Sequence, residues 1–122
     1  MEQKKIGLSR LSASIMHALS GIRLFVIREQ QARIHVAATI AAVILSFILR
    51  ISRGEWMAVI IVIGLVWIAE MLNTCIEKMM DLISAERRLD IKFIKDVAAG
   101  AVLLASSAAL VTGLLIFIPK II

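Results

Sequence analysis

The sequence predicts an all-α integral membrane protein, with an N-terminal amphipathic surface helix followed by three membrane-spanning helices. Three observations lead there. Apolar residues make up 61% of the 122-residue chain, and only 19% of residues are charged. Mean hydropathy is +0.96, whereas soluble domains sit near half apolar and a quarter charged. The excess is also gathered into runs long enough to cross a bilayer, and nothing in the sequence suggests strands.

Residues 6–28 read as the surface helix. Ile6, Leu8, Leu11, Ile15, Leu19, Ile22 and Val26 recur mostly at steps of three and four, while Arg10, His17, Arg23 and Arg28 interrupt the remaining surface. A basic helix of this kind lies in the headgroup layer or packs across the ends of membrane spans. The first span, residues 34–51, centres on the 14-residue apolar stretch from Val36 to Leu49, with Arg33 and Arg50 able to snorkel from its ends. Ser52, Arg53 and Gly54 are expected to form the turn beyond it. The second span, residues 56–76, starts at Trp56, a natural interfacial anchor, and its helix is expected to run unbroken to about Ile83. The stretch from Ser84 to Asp96 is the long polar connection. The third span, residues 97–118, contains no charge from Val97 to Ile118 and is rich in small residues that allow close packing in lipid.

The net charge of +5 raises nucleic-acid binding as an alternative, but the distribution of charge speaks against it. Eleven of the fourteen Lys and Arg residues precede the first span or lie between the second and third. Arg50, Arg53 and Lys120 alone fall on the other side. By the positive-inside rule, the N-terminus and the second loop face the cytoplasm. The lone Cys75 leaves no internal disulfide, and the N-terminal run is too short and too interrupted for a cleavable signal.

The chemistry gathers on the second span. Glu70, Asn73, Thr74, Glu77 and Asp81 fall within roughly a 100° arc of one helix. An ionisable residue inside a membrane segment costs about 2.5–3.5 kcal/mol on insertion scales. A lone Glu70 could simply pair with a cation on a neighbouring helix. Three acids on one face instead repel one another unless a cation neutralises them, and carboxylates suit Mg²⁺. Glu70 lies deepest, while Glu77 and Asp81 approach cytoplasmic water, so one face can meet both a lipid headgroup and a soluble reagent. Glu29 and the Lys95-Asp96 pair belong to the same cytoplasmic side. His17 and His35 have no metal-ligand spacing. No phosphate-binding Gly-rich loop or dinucleotide fingerprint is present. The residues by themselves lead to a membrane-interface site with metal-binding potential, and no further.

The pattern Glu70-x-x-Asn73-Thr74-x-x-Glu77-x-x-x-Asp81 resembles the signature of the prokaryotic diacylglycerol kinase family, which includes undecaprenol kinases. The resemblance covers almost the whole chain and extends to Arg10, Gly21, Arg23, Glu29, Lys95 and Asp96. It implies a homotrimeric helical bundle in the bacterial inner membrane, with active sites between subunits that face the cytoplasm. It implies transfer of the γ-phosphate of ATP, with Mg²⁺, to a lipid hydroxyl. By position, Glu70 would be the general base and Asn73 would orient the reacting groups. Glu29 and Glu77 would hold the metal, and Arg10, His17, Glu86, Lys95 and Asp96 would line the nucleotide site. His17 stands where Tyr is usual, and Arg87-Arg88 where Tyr-His is common. Arg33-Ile34-His35, the 98–104 run and Pro119-Lys120 resemble the undecaprenol kinase branch, which makes undecaprenol the expected acceptor and diacylglycerol the alternative. Gln31-Ala32 departs from the Asn-Phe of that branch. A small proton-coupled transporter is the competing class; it explains Glu70 but has no need of Asn73, Glu77, Asp81 and Lys95-Asp96 together.

Overall fold

The computed structural model describes residues 2–84, 86 and 88–122, the side chains of residues 2–6 excepted. Ile6 of the apolar stripe, the side chains of Lys4 and Lys5, and residues Ala85 and Arg87 thus lie outside the described residues. Four helices follow one another: α1 (Glu2–Arg28), α2 (Gln30–Ile48), α3 (Arg53–Ile83) and α4 (Leu89–Ile121). No strand occurs among the described residues. All four helices are long and apolar enough to cross a membrane by length and composition, α1 through its segment Gly7–Arg28. The chain divides into two compact units, residues 1–37 and 38–122.

In the first unit, α1 stops where the sequence suggests. Glu29 is the one non-helical residue between α1 and α2, and its N–H still donates to the Phe25 carbonyl at 3.0 Å. The Arg33 guanidinium donates to the carbonyls of Ile27 at 2.7 Å and Val26 at 3.3 Å. A cation there satisfies carbonyls that the end of α1 leaves open and complements the helix dipole. Leu8, Leu11, Ile15, Leu19 and Ile22 are all exposed within the chain, as are Met16, Leu24 and Ile27. The apolar surface of α1 is therefore broader than one stripe.

The second unit holds the end of α2 together with α3 and α4, and α3–α4 is its principal contact. The α2–α3 turn lies earlier than expected: it occupies residues 49–52, and Arg53 and Gly54 already belong to α3. Two devices shift it. Arg50 adopts φ 50°, and the N–H groups of Arg50 and Ile51 reach back to the carbonyls of Phe47 and Ser46, both at 3.3 Å. This is a Schellman closure of α2, with arginine in the left-handed position usually given to glycine. Ser52 then caps α3. Its Oγ accepts from the Glu55 N–H at 3.2 Å, and Glu55 Oε1 accepts from the Ser52 N–H at 2.8 Å. That reciprocal pair satisfies two donors that a helix start would otherwise leave open. Ile51, Val59 and Ile116 form a small core with Leu49, Trp56, Ala58, Ile63 and Phe117 around it. Phe47 meets Trp56 edge to face, with ring centroids 4.8 Å apart.

Two ion pairs hold α3 and α4 antiparallel. Lys120 Nζ lies 3.1 Å from Glu55 Oε1 at one end, and Lys95 Nζ lies 2.6 Å from Asp81 Oδ1 at the other. From Glu55 to Asp81 the helix rises about 39 Å, longer than a hydrocarbon core of about 30 Å. Between them the helices show mostly apolar residues outward, Leu72 at 59% and Met79 at 54% exposure. Further inside the unit, Trp67 Nε1 donates to Thr39 Oγ1 at 2.9 Å, one of the interhelical hydrogen bonds that lipid favours.

Candidate active site

α3 passes through the whole carboxylate pattern as one uninterrupted helix, because nothing between Arg53 and Ile83 breaks it. Its polar arc is turned inward at Glu70 and Asn73 and outward at Glu77 and Asp81. Glu70 and Asn73 are buried, at 7% and 8% exposure, whereas Glu77 and Asp81 are exposed. Measured along the axis from Asp81, Glu77 lies about 6 Å away, Asn73 about 12 Å and Glu70 about 16 Å. Within the chain, Glu70 is thus the buried carboxylate of the face and Glu77 and Asp81 the exposed ones. On this face, the Asn73 amide makes the link. Its Nδ2 donates to Glu77 Oε1 at 3.3 Å, while its Oδ1 is buried and accepts no hydrogen bond from the described residues. A buried amide oxygen with no donor costs about 1–3 kcal/mol. This is a cost that a binding site repays when a ligand supplies the donor.

One turn beyond Glu77, Asp81 leads into an open cavity of about 560 Å³ at the α3–α4 connection. Glu86, Lys95 and Asp96, all expected at a nucleotide site, line it together with Asp81, Arg88 and Lys92. The volume is in the range of small-molecule sites. The connection is shorter than the polar stretch suggests. α4 starts at Leu89, so Lys92, Lys95 and Asp96 stand on its first turns rather than in a loop. The Glu86 N–H donates to Ser84 Oγ at 3.0 Å and the Arg88 N–H to the Glu86 carbonyl at 3.0 Å, which tightens the turn. Asp90 accepts from the Ile91 N–H at 2.9 Å and from Arg88 Nη2 at 2.7 Å. These two bonds, the backbone one foremost, hold its carboxyl below the usual range. Lys92 pairs with Asp96 one turn along α4.

Lys92 is a cavity residue that sequence reasoning missed, while Arg88, noted there only as standing in for the usual His, lines the cavity as well. The four-residue spacing of Lys92 and Asp96 was the available signal; for Arg88 the spacing carries none. Arg10, His17 and Glu29 belong to the first unit. Arg10 and His17 are exposed on α1, seven residues and so nearly two full turns apart, which puts them on one face. Glu29 is half-buried at the break after Arg28. Among the described residues, no three His, Cys, Asp or Glu side chains gather as a ready-made metal cage.

Residues 16–117 match the family model described as prokaryotic diacylglycerol kinase. The chain belongs to that family. Curated relatives agree. An undecaprenol kinase of Bacillus subtilis (strain 168) is 39% identical over 114 residues, which cover 93% of each chain. A diacylglycerol kinase of Pseudomonas aeruginosa is 32% identical over 87% of this chain and 86% of its own. A diacylglycerol kinase of Synechocystis is 30% identical over 91% of this chain and 64% of its own. The protein is thus a membrane lipid kinase, a phosphotransferase with ATP and a lipid as substrates. Both cavity and helix face acquire a chemical context, since such a kinase must bring a water-soluble phosphate donor to an alcohol held in the bilayer.

Proposed function

We propose that this kinase transfers the γ-phosphate of Mg-ATP to the hydroxyl of undecaprenol at the cytoplasmic face of the bacterial inner membrane. The observation that carries the acceptor is the ranking of relatives. The undecaprenol kinase matches at 39% over nearly its full length, the two diacylglycerol kinases at 30% and 32%. The graded α3 face supports the chemistry. Glu70, buried about 16 Å below Asp81, takes the proton of the lipid hydroxyl as general base. The alcohol oxygen bonds to the γ-phosphorus as the bond to the ADP oxygen breaks, and the negative charge leaves with ADP. Asn73 orients the hydroxyl through the amide oxygen that accepts no hydrogen bond from the described residues. Positioning and charge neutralisation supply most of the catalysis in such a transfer.

Glu29 and Glu77 would hold the magnesium ion. The donors fit, because Mg²⁺ takes one or two carboxylates and completes its shell with water and phosphate oxygens; Glu77 offers an exposed carboxylate already steadied by Asn73. Bound with the nucleotide, the ion would neutralise phosphate charge. Arg10, His17, Glu86, Lys95 and Asp96 form the nucleotide site. α1 lies as a surface helix (6–28), residues 34–51, 56–76 and 97–118 span the bilayer, and the N-terminus is cytoplasmic. This topology draws on the eleven-to-three bias of basic residues. Three copies associate, with active sites between subunits.

The test presents undecaprenol and diacylglycerol separately, at equal mole fraction in mixed micelles with Mg-ATP. The proposal expects a higher kcat/KM for undecaprenol and a measurable rate for diacylglycerol. A preference for diacylglycerol overturns the assignment of the acceptor, and no product from either overturns the lipid-alcohol reading.

A further inference from the structure

Among the described residues, three cations line the cavity at the α3–α4 connection, and each meets a carboxylate of the same chain. Arg88 pairs with Asp90 and Lys92 with Asp96, both within α4 and its cap. The Lys95–Asp81 pair differs, since it joins two helices across fourteen residues at 2.6 Å. Lys95 is also the least exposed of the three cations, at 37% against 52% for Arg88 and 69% for Lys92. A lysine carries its charge on a flexible four-carbon stem, so an unrestrained ammonium pays entropy whenever a ligand fixes it. Asp81 removes that freedom in advance. An ammonium has three donors, and the bond to Asp81 Oδ1 uses one of them. Phosphate oxygens can therefore be met without breaking the pair.

We propose that Asp81 is a positioning residue, which anchors the Lys95 ammonium at the cavity so that it receives the phosphates of the nucleotide. This rests on the reading of Lys95 as a nucleotide-site residue. It also separates Asp81 from Glu77, although the two stand one turn apart on the same face. Glu77 keeps an exposed carboxylate for the metal, whereas Asp81 spends its charge on a lysine of the neighbouring helix. The same pair fixes the start of α4 against the end of α3, so the cavity wall and its cation are set by one contact.

A double-mutant cycle tests this, with affinity for a fluorescent ATP analogue measured on the full chain in micelles, with magnesium and in EDTA. Lys95→Met weakens binding roughly tenfold, the scale of a charge-assisted contact. Asp81→Asn weakens it about three- to fivefold, the smaller scale of a solvent-accessible ion pair, and does so in EDTA as well. Asp81→Glu recovers part of the loss. The double variant binds no worse than Lys95→Met alone, because both changes remove one interaction. In steady state, Asp81→Asn raises the KM for ATP and leaves the KM for the lipid unchanged. Normal affinity in Lys95→Met overturns the reading of Lys95 itself. Weak binding in Lys95→Met with normal binding in Asp81→Asn overturns the positioning role alone. Additive losses in the double variant, or a loss seen only with magnesium, also overturn it and make Asp81 an independent or metal-linked group.

Discussion

Replacing Asn73 by leucine exchanges an amide for an apolar side chain with the same number of heavy atoms. The stability consequence follows from two opposing contacts. Asn73 Oδ1 is buried and accepts no hydrogen bond from the described residues, a cost of about 1–3 kcal/mol that leucine removes. Against this, the Nδ2 bond to Glu77 Oε1 is lost, but it is long at 3.3 Å. Glu77 is exposed, so water replaces the donor at a cost of about 0.5 kcal/mol. The net expectation is a gain of roughly 1 kcal/mol, or about 3–5 °C in Tm for a chain of this size. Turnover, by contrast, is expected to fall by roughly two orders of magnitude, the scale of losing one preorganised donor or acceptor at a reacting centre. The assay is thermal unfolding in detergent micelles alongside phosphate transfer to lipid. A variant that is destabilised by more than about 1 kcal/mol would show that the amide oxygen is satisfied in the folded protein. A variant that keeps full activity would remove Asn73 from the reaction.

Two further predictions concern the end of the molecule remote from the cavity. Arg50→Gly relieves a left-handed residue at φ 50° and should stabilise the protein by about 0.5–1 kcal/mol in the same unfolding assay, after the entropy glycine adds to the unfolded chain; a loss of stability would contradict the closure of α2 described here. Glu55 is held below its ordinary value of 4.5, first by the Ser52 N–H and then by Lys120, against a smaller opposing effect of burial. Its contribution is therefore fully present above the ordinary value and disappears as pH falls through the lowered one. Lys120→Met should shrink the acid-side loss of stability and leave the profile above pH 6 parallel to that of the parent, measured as Tm against pH; an unchanged acid limb would mean that the pair does not form in solution.

Much of the fold was legible because bilayer thickness imposes run lengths that a reader can count. The unbroken α3, the break at Glu29 and the burial of Glu70 against the exposure of Glu77 and Asp81 all follow from periodicity and charge. The α2–α3 turn was misplaced because Ser52-Arg53-Gly54 has the composition of a turn, whereas the chain turns earlier on a left-handed Arg50, a conformation no residue type announced. Ser52 and Glu55 do carry the three-residue spacing of a capping box, which was the available clue to a helix start at Arg53. The turn and new helix start that the composition of Ser84 to Asp90 suits are found, but the polar run to Asp96 overstated the connection before α4. Its cap, Arg88, makes no side-chain cap hydrogen bond, and a charged first turn looks like a polar connection. The exchange of partners at the cavity was beyond reach. Lys95-Asp96 reads as a pair, yet Lys95 reaches across to Asp81 and Asp96 turns to Lys92. Such choices depend on how α3 and α4 are registered, and that is set by contacts at both ends of the helix pair.

The most direct test of the account is phosphate transfer by the Glu70→Gln protein. Glutamine keeps the size and polarity of Glu70 but cannot take a proton from a lipid hydroxyl. With Mg-ATP and undecaprenol in mixed micelles, turnover should fall by about 10²–10⁴-fold, the range for loss of a general base, while the affinity for the ATP analogue and the oligomeric state match those of the parent. Undiminished transfer would show that the buried carboxylate is not the base, and the assignment of the α3 face as the reacting surface would fall with it.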